Sequence, residues 1–169
     1  MRESRGVCMI KIRQAKTTDF EDIWDIFHHV VKQGDTFAFD PKSTREDCMT
    51  LWTAPAVRTY VAEVHNKICG TYILRKNQPG LGGHVANAAY MVHPEARGQG
   101  VGETMGRHSI KQAKKLGFSA MQFNFVVSTN LVAIRLWLKL GFKIVGTAQK
   151  AFHHQKLGLV DIYTMHRFV

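Results

Sequence analysis

The chain lacks any run of about eighteen apolar residues, the length a membrane-crossing helix needs, so no membrane segment or membrane partner is expected. Met1 to Lys16 hold no apolar core of the secretory kind, so no leader is expected either. Cysteine is scarce. Cys8, Cys48 and Cys69 are odd in number and far apart, which argues against a disulfide frame or a zinc site built on them. They fit reduced thiols in the cytoplasm, and no metal is expected. There is no internal repeat, low-complexity tract or linker. The net charge is +10, yet no block of five basic residues, aromatic-basic RNA motif or zinc-finger spacing accompanies it, so nucleic acid is not an expected partner. A positive field also suits a small ligand that carries several phosphates. One domain is expected over residues 1–169, with residues 1–7 as a flexible lead.

What is present is a clear alternation of periods. Cys8 to Arg13 reads as a strand. Thr18-Asp19-Phe20-Glu21 has the form of a capping box, and Phe20, Ile23, Trp24, Phe27, Val30 and Val31 follow with helical spacing to about Lys32. Gly34-Asp35-Thr36-Phe37 breaks that helix. A second box, Ser43-Thr44-Arg45-Glu46, opens a short helix that Pro55 ends. Val57–Val64 and Ile68–Arg75 form a hairpin, Asn77–Gly83 is a turn, and His84–Val92 is a strand. A helix from Val101 to Leu116 follows. Phe118–Val126 is the next strand, with Met121, Phe123 and Phe125 placed on one face by its period of two. Ser128-Thr129-Asn130 caps a helix over Leu131–Leu140, and two strands, about Phe142–Phe152 and Val160–Phe168, close the chain.

The stretch Tyr90-Met91-Val92-His93-Pro94-Glu95-Ala96-Arg97-Gly98-Gln99-Gly100-Val101-Gly102 is the pivot. A strand runs into a glycine-rich entry to a helix. The first N–H groups of such a helix are uncovered, and with the positive end of its dipole they make a phosphate site. No Gly-Lys-Ser/Thr follows, which excludes a Walker A loop. No acidic residue stands near Phe123, which excludes a dinucleotide fingerprint.

Arg97-x-x-Gly100-x-Gly102 after a strand resembles the acyl-CoA pyrophosphate loop of the GNAT (Gcn5-related) N-acetyltransferases. The element order β-α-α-β-β-β-α-β-α-β-β is similar to theirs along nearly the whole chain. Asn130-x-x-Ala133-x-x-Leu136-Trp137-x-x-Leu140-Gly141-Phe142 resembles their second CoA-contacting helix. The resemblance implies an α/β (α+β) GNAT fold. It would have a mixed, mostly antiparallel sheet of about seven strands, a splay between the fourth and fifth, and about four flanking helices. It implies transfer of an acetyl group from acetyl-CoA, as co-substrate, to an amine. Arg97, Gly98, Gln99, Gly100, Val101 and Gly102 would hold the pyrophosphate, since a Cβ at Gly100 or Gly102 would keep phosphate from the amides. Met91 and Val92 would pair with the pantetheine arm, with the Val92 N–H as oxyanion donor. Asn130 and Ala133 would contact that arm from the following helix.

One departure is visible. Many members carry a tyrosine, the proton donor to the leaving thiolate, where this chain has Trp137, and an indole is a poor acid. Tyr90 is a candidate substitute, though it suits a structural strand position at least as well; His84 and His93 are candidate bases, though each is more often a surface or turn residue. Asn87, Asn124 and Asn130, with Trp137 and Gly34-Asp35-Thr36, look similar to the L-azetidine-2-carboxylate acetyltransferase branch, which acetylates small cyclic secondary amino acids. On that footing Asn87 and Asn124 act at the acceptor, in catalysis and binding, and Asp35, Thr36 and Phe37 close its other side. The alternative for both asparagines is plain backbone satisfaction at the splay. Rival readings are a protein or peptide acetyltransferase and a CoA-binding module without turnover. A small-molecule amine is the expected acceptor, and the chain is expected as a monomer or homodimer.

Overall fold

The computed structural model describes residues 9–169, so the expected lead 1–7 and Cys8, the first residue of the expected opening strand, lie outside the described residues. The elements are β1 (Lys11–Gln14), α1 (Phe20–Val31), α2 (Arg45–Trp52), β2 (Arg58–Val64), β3 (Lys67–Lys76), β4 (Val85–Val92), α3 (Val101–Lys115), β5 (Ala120–Val127), α4 (Leu131–Lys139), β6 (Lys143–His154) and β7 (Gly158–Phe168). Single 3-10 turns at Thr17–Asp19, Gly80–Gly82 and Pro94–Ala96 punctuate them. The order matches the expected one.

All seven strands join one sheet, ordered β1-β2-β3-β4-β5-β7-β6. Neighbours are antiparallel except β4 and β5, which run parallel. That parallel pairing covers only Val85 with Ala120 and Ala86 with Met121. Beyond it β4 stays with β3 as far as Val92, β5 stays with β7, and a gap opens between them. This is the expected splay.

Two apolar layers fix the sheet. On one face α1 and α2 bury Phe20, Ile23, Phe27, Val30, Cys48 and Trp52 against Val61, Ile73 and Met91. On the other, α3 and α4 bury Val101, Met105, Ala113, Ile134 and Trp137 against Tyr72, Leu74, Met121 and Phe123. Full burial of a side chain as large as Trp52 contributes about 2–3 kcal/mol. Its indole N–H is not left unpaired, because it donates to Thr71 Oγ1 at 3.0 Å, which donates in turn to the Tyr60 carbonyl at 2.9 Å.

Three local expectations need correction. Thr18 and Glu21 do not form the box expected at the head of α1: Asp19 stands at the N-cap position and makes no side-chain cap bond to the helix. Its carboxylate turns back to the Lys16 N–H at 2.6 Å and to the Arg13 guanidinium at 2.7 Å. The Arg13 hydrogen bonds hold that carboxyl below the usual carboxylate range. The box on α2 is Thr44 with Asp47, one residue later than read: Thr44 Oγ1 accepts the Asp47 N–H, and Asp47 Oδ2 accepts the Thr44 N–H. Asp47 is short enough to reach back from the third helical position, as Glu46 at the second is not placed to do. Finally, Phe125 does not share the buried face of Met121 and Phe123. The β5–β7 register shifts between Phe123 and Val126, and this bulge leaves Phe125 exposed.

Candidate active site

The geometry of the gap follows from strand alternation. The His93 N–H donates to the Cys69 carbonyl of β3, and the Val85 carbonyl accepts from Asn77 on the same side. His84 at the other parity points its carbonyl to Ser119 at the head of β5. Backbone groups of successive residues face opposite neighbours, so Ala88, Tyr90 and Val92 turn theirs into the gap. Val92 therefore presents its N–H where β5 has moved away. Met91 does not: its backbone parity is that of β3, opposite Thr71, and its side chain is buried under α1.

Immediately after β4 comes the glycine loop. Gly98 and Gly100 hold φ of +77 and +82, and a Cβ built at either meets nothing within 4 Å. Neither glycine is demanded by crowding within the protein; the left-handed backbone demands it, and the side that a Cβ would occupy stays open. The first helical bond of α3 runs from the Thr104 N–H to the Gly100 carbonyl, so the N–H groups of Val101, Gly102 and Glu103 have no acceptor within the helix. A Cβ at Gly102 would lie 3.6 Å from Leu136 Cδ2 and 3.9 Å from Val92 Cγ2, in ordinary contact. Gln99 folds its amide back onto the Glu95 carbonyl, Val101 sinks its side chain into the core, and Arg97 reaches Gln33 at the end of α1. Glu103, the acidic residue of the first turn, is drawn aside by Lys139 at 2.7 Å and Arg107 at 2.8 Å. Those partners hold its carboxyl below the ordinary range, Lys139 first. The loop thus presents N–H groups without helical acceptors, and the first-turn carboxylate of Glu103 is already paired.

At the closed end of the gap four amides meet, two of which, Asn77 and Gln122, the sequence reading missed. Asn87 Nδ2 donates to the Gln122 carbonyl at 2.9 Å, Gln122 Nε2 to Asn124 Oδ1 at 2.9 Å, and Asn124 Nδ2 to Asn77 Oδ1 at 2.7 Å. Gln122 and Asn124 alternate with Met121 and Phe123, which face α3 and α4, so the amides project to the α1–α2 side. That alternation was the signal available for Gln122.

On the α4 side, Asn130 Oδ1 caps the helix through the Ala133 N–H at 3.2 Å. Trp137 is buried, with its ring 4.7 Å from both Tyr90 and Phe123. Tyr90 aims its hydroxyl away from the gap, at Ser109 Oγ under α3, 2.7 Å off. Burial pushes that phenol above its usual pKa. His84 sits at the far end of β4 from Val92. His93 turns its ring to Asp25 of α1.

The α1–α2 loop meets the tip of the β6–β7 hairpin. Gly34, at φ +60, lies under Gln155: a Cβ there would come within 2.4 Å of Gln155 Cδ, and the Gln155 N–H donates to the Gly34 carbonyl. Lys32, Gln33, Asp35, His154, Gln155 and Lys156 line a cavity of about 440 Å³ at this junction. Asp35 Oδ1 is buried there without a hydrogen-bond partner among the described residues. Such an atom marks a place for a donor that the chain itself does not provide. Thr36 is half-buried beside it, whereas Phe37 stacks on Phe39, 5.7 Å between centroids, against the α1 core.

Comparison with known proteins adds the following. A profile described as the acetyltransferase (GNAT) family matches residues 18–142. A structure of a GCN5-related N-acetyltransferase from Kribbella flavida superposes with a TM-score of 0.90 at 41% identity, covering 95% of this chain and 98% of that one. The N-acetyltransferase aca1 of Schizosaccharomyces pombe is 28% identical over 155 residues, 80% of this chain and 73% of its own length. The fold is also that of a phosphinothricin acetyltransferase from Sinorhizobium meliloti solved in complex with AcCoA, with a TM-score of 0.83 at 20% identity over 95% of this chain and 88% of that one.

Proposed function

The chain belongs to the acetyltransferase (GNAT) family, and on that premise we propose that it moves the acetyl group of acetyl-CoA to the amine of a small molecule, an amino acid or cyclic secondary amine. The observation that carries this reading is the gap between β4 and β5, which opens onto the Val92 N–H and leads directly into the open glycine loop. Acetyl-CoA, when bound, supplies a thioester whose carbonyl carbon the amine attacks and whose thiolate departs.

The loop amides of residues 98–103 bind the pyrophosphate, with Arg97 adding charge. The Val92 N–H points where a thioester oxygen gathers negative charge, and a fixed backbone donor in a partly dry gap stabilises that charge strongly. An amine of pKa near 10 is neutral in only about one molecule per thousand at pH 7. Asp35, whose Oδ1 has no hydrogen-bond partner among the described residues, would hold the amine and take its proton. Lys32 and Lys156 border the same cavity, so it offers both signs of charge, as a zwitterionic amino acid requires. The asparagine cluster closes the other side.

The test is acetylation of proline analogues (azetidine-2-carboxylate among them), free amino acids and lysine peptides, side by side, by release of free CoA thiol. Small amino acids should react. Asn87→Ala and Asn124→Ala should raise KM for the acceptor and leave acetyl-CoA affinity alone. Reaction of the peptides only, or two variants that match the parent, would sink the assignment.

Tyr90, the candidate substitute for the missing tyrosine, has its hydroxyl engaged with Ser109 Oγ. Trp137 is a packing residue, and the thiolate leaves to water. Trp137→Phe should keep kcat within about tenfold, against the 10²- to 10⁴-fold loss expected when an acid is removed. A smaller buried ring should lower stability by about 1–2 kcal/mol. A kcat that falls by about 100-fold or more with acetyl-CoA affinity intact would show that the indole takes part in chemistry.

A further inference from the structure

Along the seam between α1 and the approach to the glycine loop, three side chains converge that the acetyl-transfer site does not use. Asp25 and His29 are one helical turn apart on the exposed edge of α1, and His93 directly follows β4. Asp25 Oδ1 lies 3.3 Å from His29 Nδ1, and Asp25 Oδ2 lies 3.3 Å from His93 Nε2. The two imidazole centroids are 5.1 Å apart. One donor atom from each residue lies within 4.8 Å of the other two. We propose that Asp25, His29 and His93 bind a divalent transition-metal ion of the zinc class, which ties α1 to the loop leading into α3.

The distances suit that chemistry. A tetrahedral ion with ligands at about 2.0–2.1 Å needs its donors about 3.3 Å apart. Each ring nitrogen stands 3.3 Å from a different oxygen of Asp25, and the three donor atoms lie within 4.8 Å of one another, so the side chains draw together by up to about 1.5 Å to share one ion. Two imidazoles and one carboxylate form a donor set that zinc and its first-row neighbours accept, with a fourth position open to water. Magnesium and calcium seek more oxygen than this cluster holds. Asp25 and His29 have side chains 57% and 49% exposed, which gives an ion access, while His93 is 17% exposed and held by its neighbours.

The hydrogen bonds of the ion-free cluster define what binding must change. His29 Nδ1 lies 2.8 Å from the Asp25 carbonyl, and His93 Nδ1 accepts the Glu95 N–H at 3.3 Å. His93 therefore carries its proton on Nε2, toward Asp25. A metal on Nε2 displaces that proton and requires Nδ1–H instead. Glu95 Oε2, 3.9 Å from Nδ1, is the carboxylate at hand to accept it, the arrangement usual for metal-bound histidine.

The experiment is calorimetric titration of the tag-free chain with ZnCl₂, repeated on Asp25→Asn and His93→Gln, with circular dichroism as the folding control. One equivalent should bind the parent, and each variant should bind about tenfold or more weakly. Co²⁺ should give the intense visible absorption of a four-coordinate site, lost in both variants. Absence of saturable binding, or parent-like binding by both folded variants, overturns the site. The second outcome would place the ion on other histidines or on Cys8.

Discussion

Gly100→Glu is expected to abolish acetyl-CoA binding, with the dissociation constant raised about 100-fold or more and the fold intact. The two components of this effect are separable. At φ +82 any side chain carries a backbone cost of about 1–2 kcal/mol, which lowers stability. Gly100→Ala adds bulk without charge: its Cβ meets no protein atom within 4 Å but takes the side a phosphate would use, so it should bind more weakly than the parent and more tightly than the Glu variant. Glu adds a negative charge beside two phosphates. Like charges at about 4 Å repel by about 1 kcal/mol in water and about 4 kcal/mol at the lower effective dielectric of a protein surface. Glu103 is no precedent for tolerance, because Lys139 and Arg107 draw its carboxylate off the helix end. Titration calorimetry on the three proteins decides the matter. Unchanged affinity in the Glu variant, with normal melting, would move the cofactor off this loop.

The features legible in the sequence are those set by short-range patterns. The glycine loop announces itself because Gly98 and Gly100 stand between a strand and an amphipathic helix, and local backbone requirements are written in local residues. The order of elements is legible for the same reason, each period changing at a glycine, proline or cap. What depended on partners far along the chain was not. Thr18 and Glu21 read as a capping pair, whereas the helix starts one residue later and the Asp19 carboxylate is claimed by Arg13 and the Lys16 amide. Phe125 reads as buried because a period of two cannot foresee a bulge imposed by the register with β7. Met91 and Val92 look equivalent in sequence, and only the bond from His93 to Cys69 tells which of them faces the gap. Gln122 and Asn77 were passed over because their amides gain meaning only beside Asn87 and Asn124. The cavity at Asp35 needed the β6–β7 hairpin to fold across Gly34, a contact between residues more than a hundred positions apart.

Asp35→Asn is expected to lower kcat/KM for the amine acceptor by about 100-fold, to leave acetyl-CoA affinity within about twofold, and to leave the protein as stable as before or more so. Asp35 Oδ1 is buried without a hydrogen-bond partner among the described residues. A carboxylate oxygen kept from water with nothing to accept from costs free energy, about 1–3 kcal/mol in typical proteins. A neutral amide of the same shape has less hydration to lose, so relief of up to about 1 kcal/mol is expected in the variant. Function moves the other way. A charged hydrogen bond to an ammonium is worth about 1.5–3 kcal/mol, and its loss alone accounts for roughly 10- to 100-fold. Loss of the proton acceptor for an amine that is almost fully charged at neutral pH adds to this. The two signs distinguish a site from a strut. If Asp35 were structural, its amide variant would melt earlier and turn over normally. Raising the pH should partly restore the variant, because more of the acceptor is then already neutral. A variant whose activity stays flat and low across that pH range would still leave Asp35 holding the acceptor, but would remove it from the proton transfer.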